Sequence, residues 1–392
     1  MAVKKVIVDR ANRLHQLPPE ILSFLPSQRQ GRILRRTELI DCANLQWPVE
    51  YEKGTERSSP ATPASPEKLI ELREALAAWM ESVHGVTLHP EKQIFVGGGL
   101  SQIVLSLCLG FIDNGDIAFV PDVAVPLYRK AIAACGGQPV GYQIAQKDNW
   151  QPNFEKVSSR LGRVARMLFL NSPHNPTGAV LNEKEMTNLV WIAGRENIML
   201  INDAAYQTVG QRPALSLLAV EGGGKVGVEI GSFSYHFGLP RWPFGFAAGN
   251  REVIHGLVET QRLLPGFVLS HWVDAALRAM GQFPSEGLKL VRARVSENGG
   301  EVARLLKLLE LERTDYDTIP FAWSKIEHRR RSTTAANLLY RRTRVLVAPG
   351  KGFGDAGDGY LRFSLLVDPA NYGAAFERIQ KKLRFLKFSE AE

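Results

Sequence analysis

Short apolar segments of strand length recur along the first two-thirds of the chain, and helical stretches separate several of them. These segments are QIFV, DIAFV, ARMLFLN, NIMLIND, VEIGSFS and FGFAAG, and most of them are apolar throughout. Strands that are apolar on both faces are typical of a mostly parallel sheet that helices cover on both sides. The pattern therefore predicts an α/β fold with its functional groups at the carboxyl ends of the strands.

The helical stretches are polar on one side. In PEKLIELREALAAWMESVHG, Leu69, Leu72, Leu76 and Val83 share one face, and Gly85 ends the helix. After about Pro265 the pattern changes to a helical region, short strands around FAWSKI, RVLVAPG and YLRFSLLV, and a terminal helix. We therefore expect a large α/β domain over residues 46–265. Residues 1–45 and 266–392 would form an N-terminal arm and a smaller α+β domain.

Composition excludes several classes of protein. Of the 392 residues, 45% are hydrophobic and 22% are charged, as in ordinary globular proteins. Since no apolar run approaches the ~20 residues of a membrane span, and no apolar segment follows the basic N-terminus, we expect a cytoplasmic protein without membrane contact. The three cysteines lie far apart and indicate neither a disulfide framework nor a metal site.

The net charge is +8, and a basic run extends from His328 to Arg344. We interpret this run as a solvated helical face, with a docking surface for an acidic protein partner as the alternative. No aromatic residues interleave with the charges in the way nucleic-acid-binding proteins require, so we expect no nucleic-acid partner.

Polar motifs follow three of the predicted strands. NSPHNPTG follows ARMLFL, NDAAY ends the next strand, and SFSYHFGLPRWPFGFAAG begins at the end of a third; VAPGKGFG and YLRFSLL come later. In this order and spacing the five motifs resemble the class I/II aminotransferases, the fold type I family that uses pyridoxal phosphate. The resemblance runs from about residue 40 to the C-terminus. It implies a seven-stranded, mostly parallel sheet, a smaller α+β domain and a homodimer.

The resemblance also assigns roles to individual residues. Asn175 and Tyr206 match the residues that bind the cofactor's ring oxygen, and Asp203 matches the aspartate that pairs with the pyridinium nitrogen. Arg362 matches the arginine that binds the substrate carboxylate, beside Asn175. The glycine-rich VGGGLSQ turns into a helix N-terminus, where an anion could be cradled by the amides of Gly99, Leu100 and Ser101.

Other positions depart from the family pattern. Tyr235 stands where the family has the lysine that forms a Schiff base with the cofactor, and a phenol cannot form an imine. Pro243 stands at the position of a phosphate-binding arginine, and Val125 at that of the aromatic residue that stacks on the cofactor. From these losses we expect that no cofactor is bound. Two less favoured compensations are Lys351 as the lysine and Arg241 as the phosphate ligand.

Three functional hypotheses follow. The first is a cofactor-independent enzyme acting on an amino acid or another small carboxylate, with Tyr235, His236 and Tyr206 as acid/base groups and His174 as a further candidate. The second is a non-catalytic subunit or scaffold that partners an active homologue. The third is an enzyme that uses pyridoxal phosphate or pyridoxamine phosphate without a covalent link.

Overall fold

A seven-stranded sheet lies at the centre of the fold. The protein is described here from a computed structural model, which describes residues 13, 17–25, 39–47, 62–152, 165–239, 243–264, 267–312, 318–326, 331–383 and 386. The strands are β1 (Ile40–Asp41), β2 (Ile94–Gly97), β3 (Ile117–Pro121), β4 (Gln138–Tyr142), β5 (Ala165–Asn171), β6 (Met199–Asp203), β7 (Gly227–Ser232), β8 (Gly245–Gly249), β9 (Phe321–Lys325), β10 (Val345–Leu346), β11 (Ala348–Pro349) and β12 (Tyr360–Ser364).

The central sheet has the order β2-β8-β7-β6-β5-β3-β4. Its pairs from β7 through β4 are parallel, and β8 runs antiparallel to both of its neighbours. Each apolar run named above forms a strand of this sheet, which confirms the predicted fold class. The edge strand β4 was not predicted, because its side chains are partly exposed and its sequence has no continuous apolar run.

Helices cover the sheet and bury its apolar faces. They are α1 (Pro66–His84), α2 (Pro90–Gln93), α3 (Leu100–Phe111), α4 (Pro126–Ala134), α5 (Glu183–Glu196), α6 (Gly223–Val226), α7 (Phe233–Phe237), α8 (Arg251–Leu263), α9 (Ser270–Met280), α10 (Glu286–Leu308), α11 (Ser332–Thr343) and α12 (Pro369–Lys382). Helices α3, α4 and α8 share an apolar cluster with one face of the sheet, and α5 contributes to a larger cluster on the other. Among the described residues, no helix combines the length and the apolarity that crossing a membrane requires.

Two small sheets lie outside the central one. Strands β11, β12 and β9 form an antiparallel sheet, and β1 pairs with β10 in parallel through Ile40 and Val345. The N-terminal segment 39–47 is therefore joined to elements from the end of the chain. The domain boundaries at residues 46 and 265 remain a prediction.

The strand register brings the polar motifs to one edge of the central sheet. Asn171, the last residue of β5, is the partner of Asp203, the last residue of β6. Asp203 in turn pairs with Ile230 of β7, which leads directly into α7. Since parallel strands end at the same edge, the three motifs meet there, where a site in an open α/β sheet is expected.

Candidate functional site

Asn171 organises the turn that follows β5. Its side-chain amide donates to the carbonyls of Pro173 (2.9 Å) and Asp203 (2.7 Å), and its Oδ1 accepts from the backbone N–H of Asn175 (2.7 Å). One buried side chain thus joins the ends of two strands and fixes the backbone that presents Asn175.

Asp203 is a buried carboxylate whose two oxygens accept hydrogen bonds. Oδ2 accepts from the hydroxyl of Tyr128 (2.6 Å), and Oδ1 accepts from the backbone N–H of Ala205 (3.1 Å). Tyr128 is fully buried in α4, and its ring stacks on Phe169. Burial raises the pKa of Asp203 to about 6, since an apolar surrounding disfavours the charge. The carboxyl is therefore mostly ionised above neutrality and protonated in mild acid.

Asn175, Tyr206 and Tyr235 form a continuous group beside Asp203. The Asn175 amide donates to the Tyr206 hydroxyl (3.0 Å), and the ring centroids of Tyr206 and Tyr235 lie 4.8 Å apart. The ring centroid of Trp47, from the N-terminal segment, lies 5.6 Å from that of Tyr235. Burial raises the pKa of Tyr206 to about 12, and burial together with the neighbouring Tyr206 raises the pKa of Tyr235 well above its usual value. Both phenols are therefore neutral at physiological pH, so neither carries the negative charge of a phenolate base.

Arg362 places a buried positive charge against this group. Its two terminal nitrogens donate to Asn175 Oδ1 (3.1 Å) and to the carbonyl of Ala43 (3.1 Å), and its guanidinium lies 3.9 Å from the ring centre of Phe321. Burial lowers the pKa of Arg362 to about 10, so it remains a cation at neutral pH. Among the described residues, Nε has no hydrogen-bond partner and no carboxylate forms an ion pair with the group.

The two candidate histidines lie apart from this group. His236 is fully buried, and its ring packs against Trp79 (centroids 5.3 Å apart) and Phe246 (5.4 Å). Burial lowers the pKa of His236 to about 3. Both ring nitrogens of His174 are engaged, one with the Thr177 hydroxyl (2.8 Å) and one with a backbone carbonyl (2.9 Å). A catalytic role for His236 stays a prediction, and its apolar surroundings do not favour it.

The glycine-rich segment forms the N-terminus of α3. Gly99 precedes the helix with a φ of 93°, a left-handed conformation that favours glycine. A side chain there would also meet the backbone of Pro243 at 3.0 Å. The amides of Leu100 and Ser101 begin the helix beside this contact. Arg241 lies outside the described residues, so its proposed reach toward a phosphate stays a prediction.

Lys351, the alternative lysine, does not lie free at the site, and Lys225, the lysine that precedes Tyr235 in the sequence, lies elsewhere. Lys351 Nζ contacts the Asp355 carboxylate (2.5 Å), and its backbone N–H donates to Ser332. Lys225 precedes β7, so it lies at the opposite end of that strand from Tyr235 and lines a cavity there.

Comparisons with known proteins identify the family. A family model described as aminotransferase class I and II matches residues 55–379, most of the chain. The chain belongs to this family. It is 26% identical to the LL-diaminopimelate aminotransferase of Moorella thermoacetica over 392 residues, which cover 97% of this chain and 100% of that protein. It is 28% identical to the enzyme of the same name from Halothermothrix orenii over 326 residues, covering 82% and 83%.

Solved structures of this fold superpose closely. The substrate-bound BacF structure from Bacillus subtilis gives a TM-score of 0.86 at 25% identity and covers 98% of this chain and 100% of that one. The aromatic aminotransferase of Pyrococcus horikoshii gives a TM-score of 0.81 at 24% identity, with 92% and 99% covered, and shows the fold alone. The aminotransferase fold type I that the motifs predicted is confirmed.

Family membership corrects one expectation. The prediction that the chain binds no cofactor is wrong, because the family and these relatives are pyridoxal phosphate-dependent aminotransferases. The described residues fit such a group. Asp203 offers a carboxylate, Asn175 and Tyr206 offer hydrogen-bond donors, and the buried Arg362 offers a cation whose Nε has no hydrogen-bond partner in the described part of the chain. Val125 caps α4 and packs into the apolar clusters, so it offers no aromatic face.

Several residues at the site were missed by sequence reasoning. Tyr128, the partner of Asp203, lies three residues after Val125 in the segment VPDVAVPLY, and its place in the first turn of a helix that follows a strand was the available signal. Trp47 and the carbonyl of Ala43 come from a segment without a motif. Their approach depends on the pairing of β1 with β10, which no local pattern predicts.

Proposed function

We propose that this chain binds pyridoxal phosphate or pyridoxamine phosphate without a covalent bond and acts, as a homodimer, on an amino acid or another small carboxylate. The observation that carries the proposal is Arg362, a buried cation with a free Nε donor and no carboxylate partner among the described residues. A buried charge is costly unless it is paired, so a ligand carboxylate would remove an unfavourable feature of the ligand-free site.

The chain's own groups would hold the cofactor at three points. Asp203 would face the ring nitrogen, and its hydrogen bond from Tyr128 would keep the carboxylate oriented. Asn175 and Tyr206 would donate to the ring oxygen, and the first amides of α3 would receive the phosphate. When bound, the cofactor supplies an electron sink for bond breaking at the amino-acid α-carbon.

Tyr235 distinguishes this chain from the conventional members of its family. Its hydroxyl lies against that of Tyr206, and both phenols stay protonated at neutral pH because burial raises their pKa values. A neutral phenol can donate a hydrogen bond or pass a proton along a chain of hydroxyls, but it cannot attach the cofactor. We therefore assign Tyr235 and Tyr206 to positioning and proton transfer.

A titration series tests the proposal. The purified protein is loaded with pyridoxamine phosphate, and the standard L-amino acids and their 2-oxo acids are titrated into it by calorimetry. At least one carboxylate should bind, and its amide should bind more weakly. Tyr235→Phe should leave binding nearly intact but abolish turnover. If no carboxylate binds, the proposal fails. If Tyr235→Phe turns over at the wild-type rate, the role of that hydroxyl fails.

A non-catalytic subunit is the second candidate, and one observation favours it. The rings of Trp47, Tyr235 and Tyr206 contact each other in succession, and Arg362 already donates to Asn175 and to Ala43 of its own chain. The site groups could thus satisfy one another without a reaction. Co-purification with an intact aminotransferase homologue, together with carboxylate binding but no turnover, would support this function.

A further inference from the structure

The short helix α7, which carries Tyr235, rests on the first turns of α10. The Ser285 hydroxyl donates to the carbonyl of Phe237 (2.5 Å) and accepts from the N–H of Leu288 (3.1 Å). Ser285 is therefore the N-cap of α10 and a donor to the end of α7 at the same time. The two helices approach so closely that a side chain at Gly238 would lie 2.1 Å from the backbone of Gly287.

A second contact reaches α7 from the same side of α10. Arg292 donates through Nε (3.2 Å) and a terminal nitrogen (2.8 Å) to the carbonyl of Thr208. The Thr208 hydroxyl then donates to the carbonyl of His236 (3.3 Å). Ser285 and Arg292 are seven residues apart, so they lie on one face of α10.

These contacts satisfy groups that α7 cannot satisfy itself. The helix has five residues, and the carbonyls in the last turn of a helix have no partner within it. A helix of this length is not stable alone in water, so its orientation depends on what holds its ends. Two of its last carbonyls, those of His236 and Phe237, are held through Thr208 and Ser285.

We propose that Ser285 and Arg292 are positioning residues that hold the Tyr235 ring against Tyr206 through the backbone of α7. The importance of Tyr235 rests on the proposed function. The effect of Ser285 and Arg292 on the position of Tyr235 rests on geometry alone. Ser285 reaches the group formed by Asn175, Tyr206 and Arg362 through α7, whereas Arg292 holds the backbone of Thr208, two residues after Tyr206, so the dependence on Tyr235 distinguishes a route through α7 from one through that turn.

Fluorine NMR of the full-length protein tests the coupling without any ligand. Fluorotyrosine is placed at position 235 in one sample and at Tyr340, a buried residue of α11, in another. Ser285→Ala and Arg292→Ala should each shift and broaden the signal from position 235 and leave that from position 340 in place. Ser285→Thr keeps the hydroxyl and should restore the wild-type signal. Arg294→Ala is the matched control, since Arg294 lies on α10 but donates to Val367.

Cofactor affinity provides the second readout. Arg292→Ala should weaken binding of pyridoxal phosphate about tenfold, and the loss should vanish when Tyr235 is already Ala. An unmoved signal at position 235, or equal shifts at positions 235 and 340, would overturn the inference; so would a loss of affinity that persists without Tyr235. If the signal moves as expected but pyridoxal phosphate does not bind at all, the proposed function fails and the positioning role stands.

Discussion

Removal of the Arg362 side chain should weaken carboxylate binding. The guanidinium is buried, two of its nitrogens donate to Asn175 and Ala43, and Nε has no hydrogen-bond partner among the residues that the structure describes. A charge-assisted hydrogen bond contributes about 1.5–3 kcal/mol, so Arg362→Ala should raise the Kd for the tightest-binding amino acid roughly 10- to 150-fold.

The assay is calorimetry on protein loaded with pyridoxamine phosphate, with near-ultraviolet circular dichroism to check the fold. Arg362→Lys is the matched control, because it keeps the charge but loses the fork and the free Nε, so it should fall between wild type and Arg362→Ala. The amide of the same amino acid should bind wild type and Arg362→Ala equally. A Kd for the carboxylate that is unchanged in a folded Arg362→Ala variant would refute the assignment.

Three further predictions concern stability and assembly. Burial raises the pKa of Asp203 to about 6, above its value in the unfolded chain. The folded state therefore binds more protons than the unfolded state between about pH 4 and pH 6, and the free energy of unfolding falls as the pH rises through this range. Asp203→Asn should therefore be more stable than wild type by about 1–3 kcal/mol above pH 6 in urea unfolding and equal to it below about pH 4; equal stability at pH 7.5 would contradict the buried charge. Burial lowers the pKa of His236 to about 3, so the unfolded state takes up a proton first and stability is lost as the pH falls below about 6.5. His236→Phe should gain about 3 kcal/mol over wild type by about pH 4 and keep its turnover, and a loss of turnover would restore the catalytic hypothesis for His236. Light scattering at micromolar concentration should give the mass of a dimer, and a monomer mass would contradict the homodimer.

The strands whose ends carry Asn171 and Asp203 were predictable from the sequence, but the residues that approach the site from other parts of the chain were not. The apolar runs that end at Asn171 and Asp203 are buried on both faces. Their uninterrupted apolar pattern therefore predicts both the strand and the residue at which it ends. Strand β4 was not predicted because an edge strand faces solvent on one side and has no continuous apolar run. The position of Trp47 was not predicted because it depends on the long-range pairing of β1 with β10.

The adjacent residues Tyr235 and His236 show what a motif does not give, namely the direction in which each side chain points. Both were predicted as acid/base groups because Tyr235 stands at the position of the family lysine and His236 follows it. They lie in helix α7, where successive residues point about 100° apart, so one ring meets Tyr206 while the next enters the cluster around Trp79. The strand period would not have brought them together either. The packing of α7 against its neighbours, α10 among them, decides which of them faces the site.

Mass spectrometry of the protein equilibrated with pyridoxal phosphate tests the central claim most directly. We expect one cofactor per subunit in the native spectrum, and an unmodified chain mass in the denaturing spectrum after borohydride reduction, because no lysine is attached to the cofactor. A native spectrum without the cofactor would contradict the cofactor site. A stoichiometric pyridoxyl-lysine adduct, at Lys351 or at any other lysine, would contradict the non-covalent mode and restore a conventional aminotransferase.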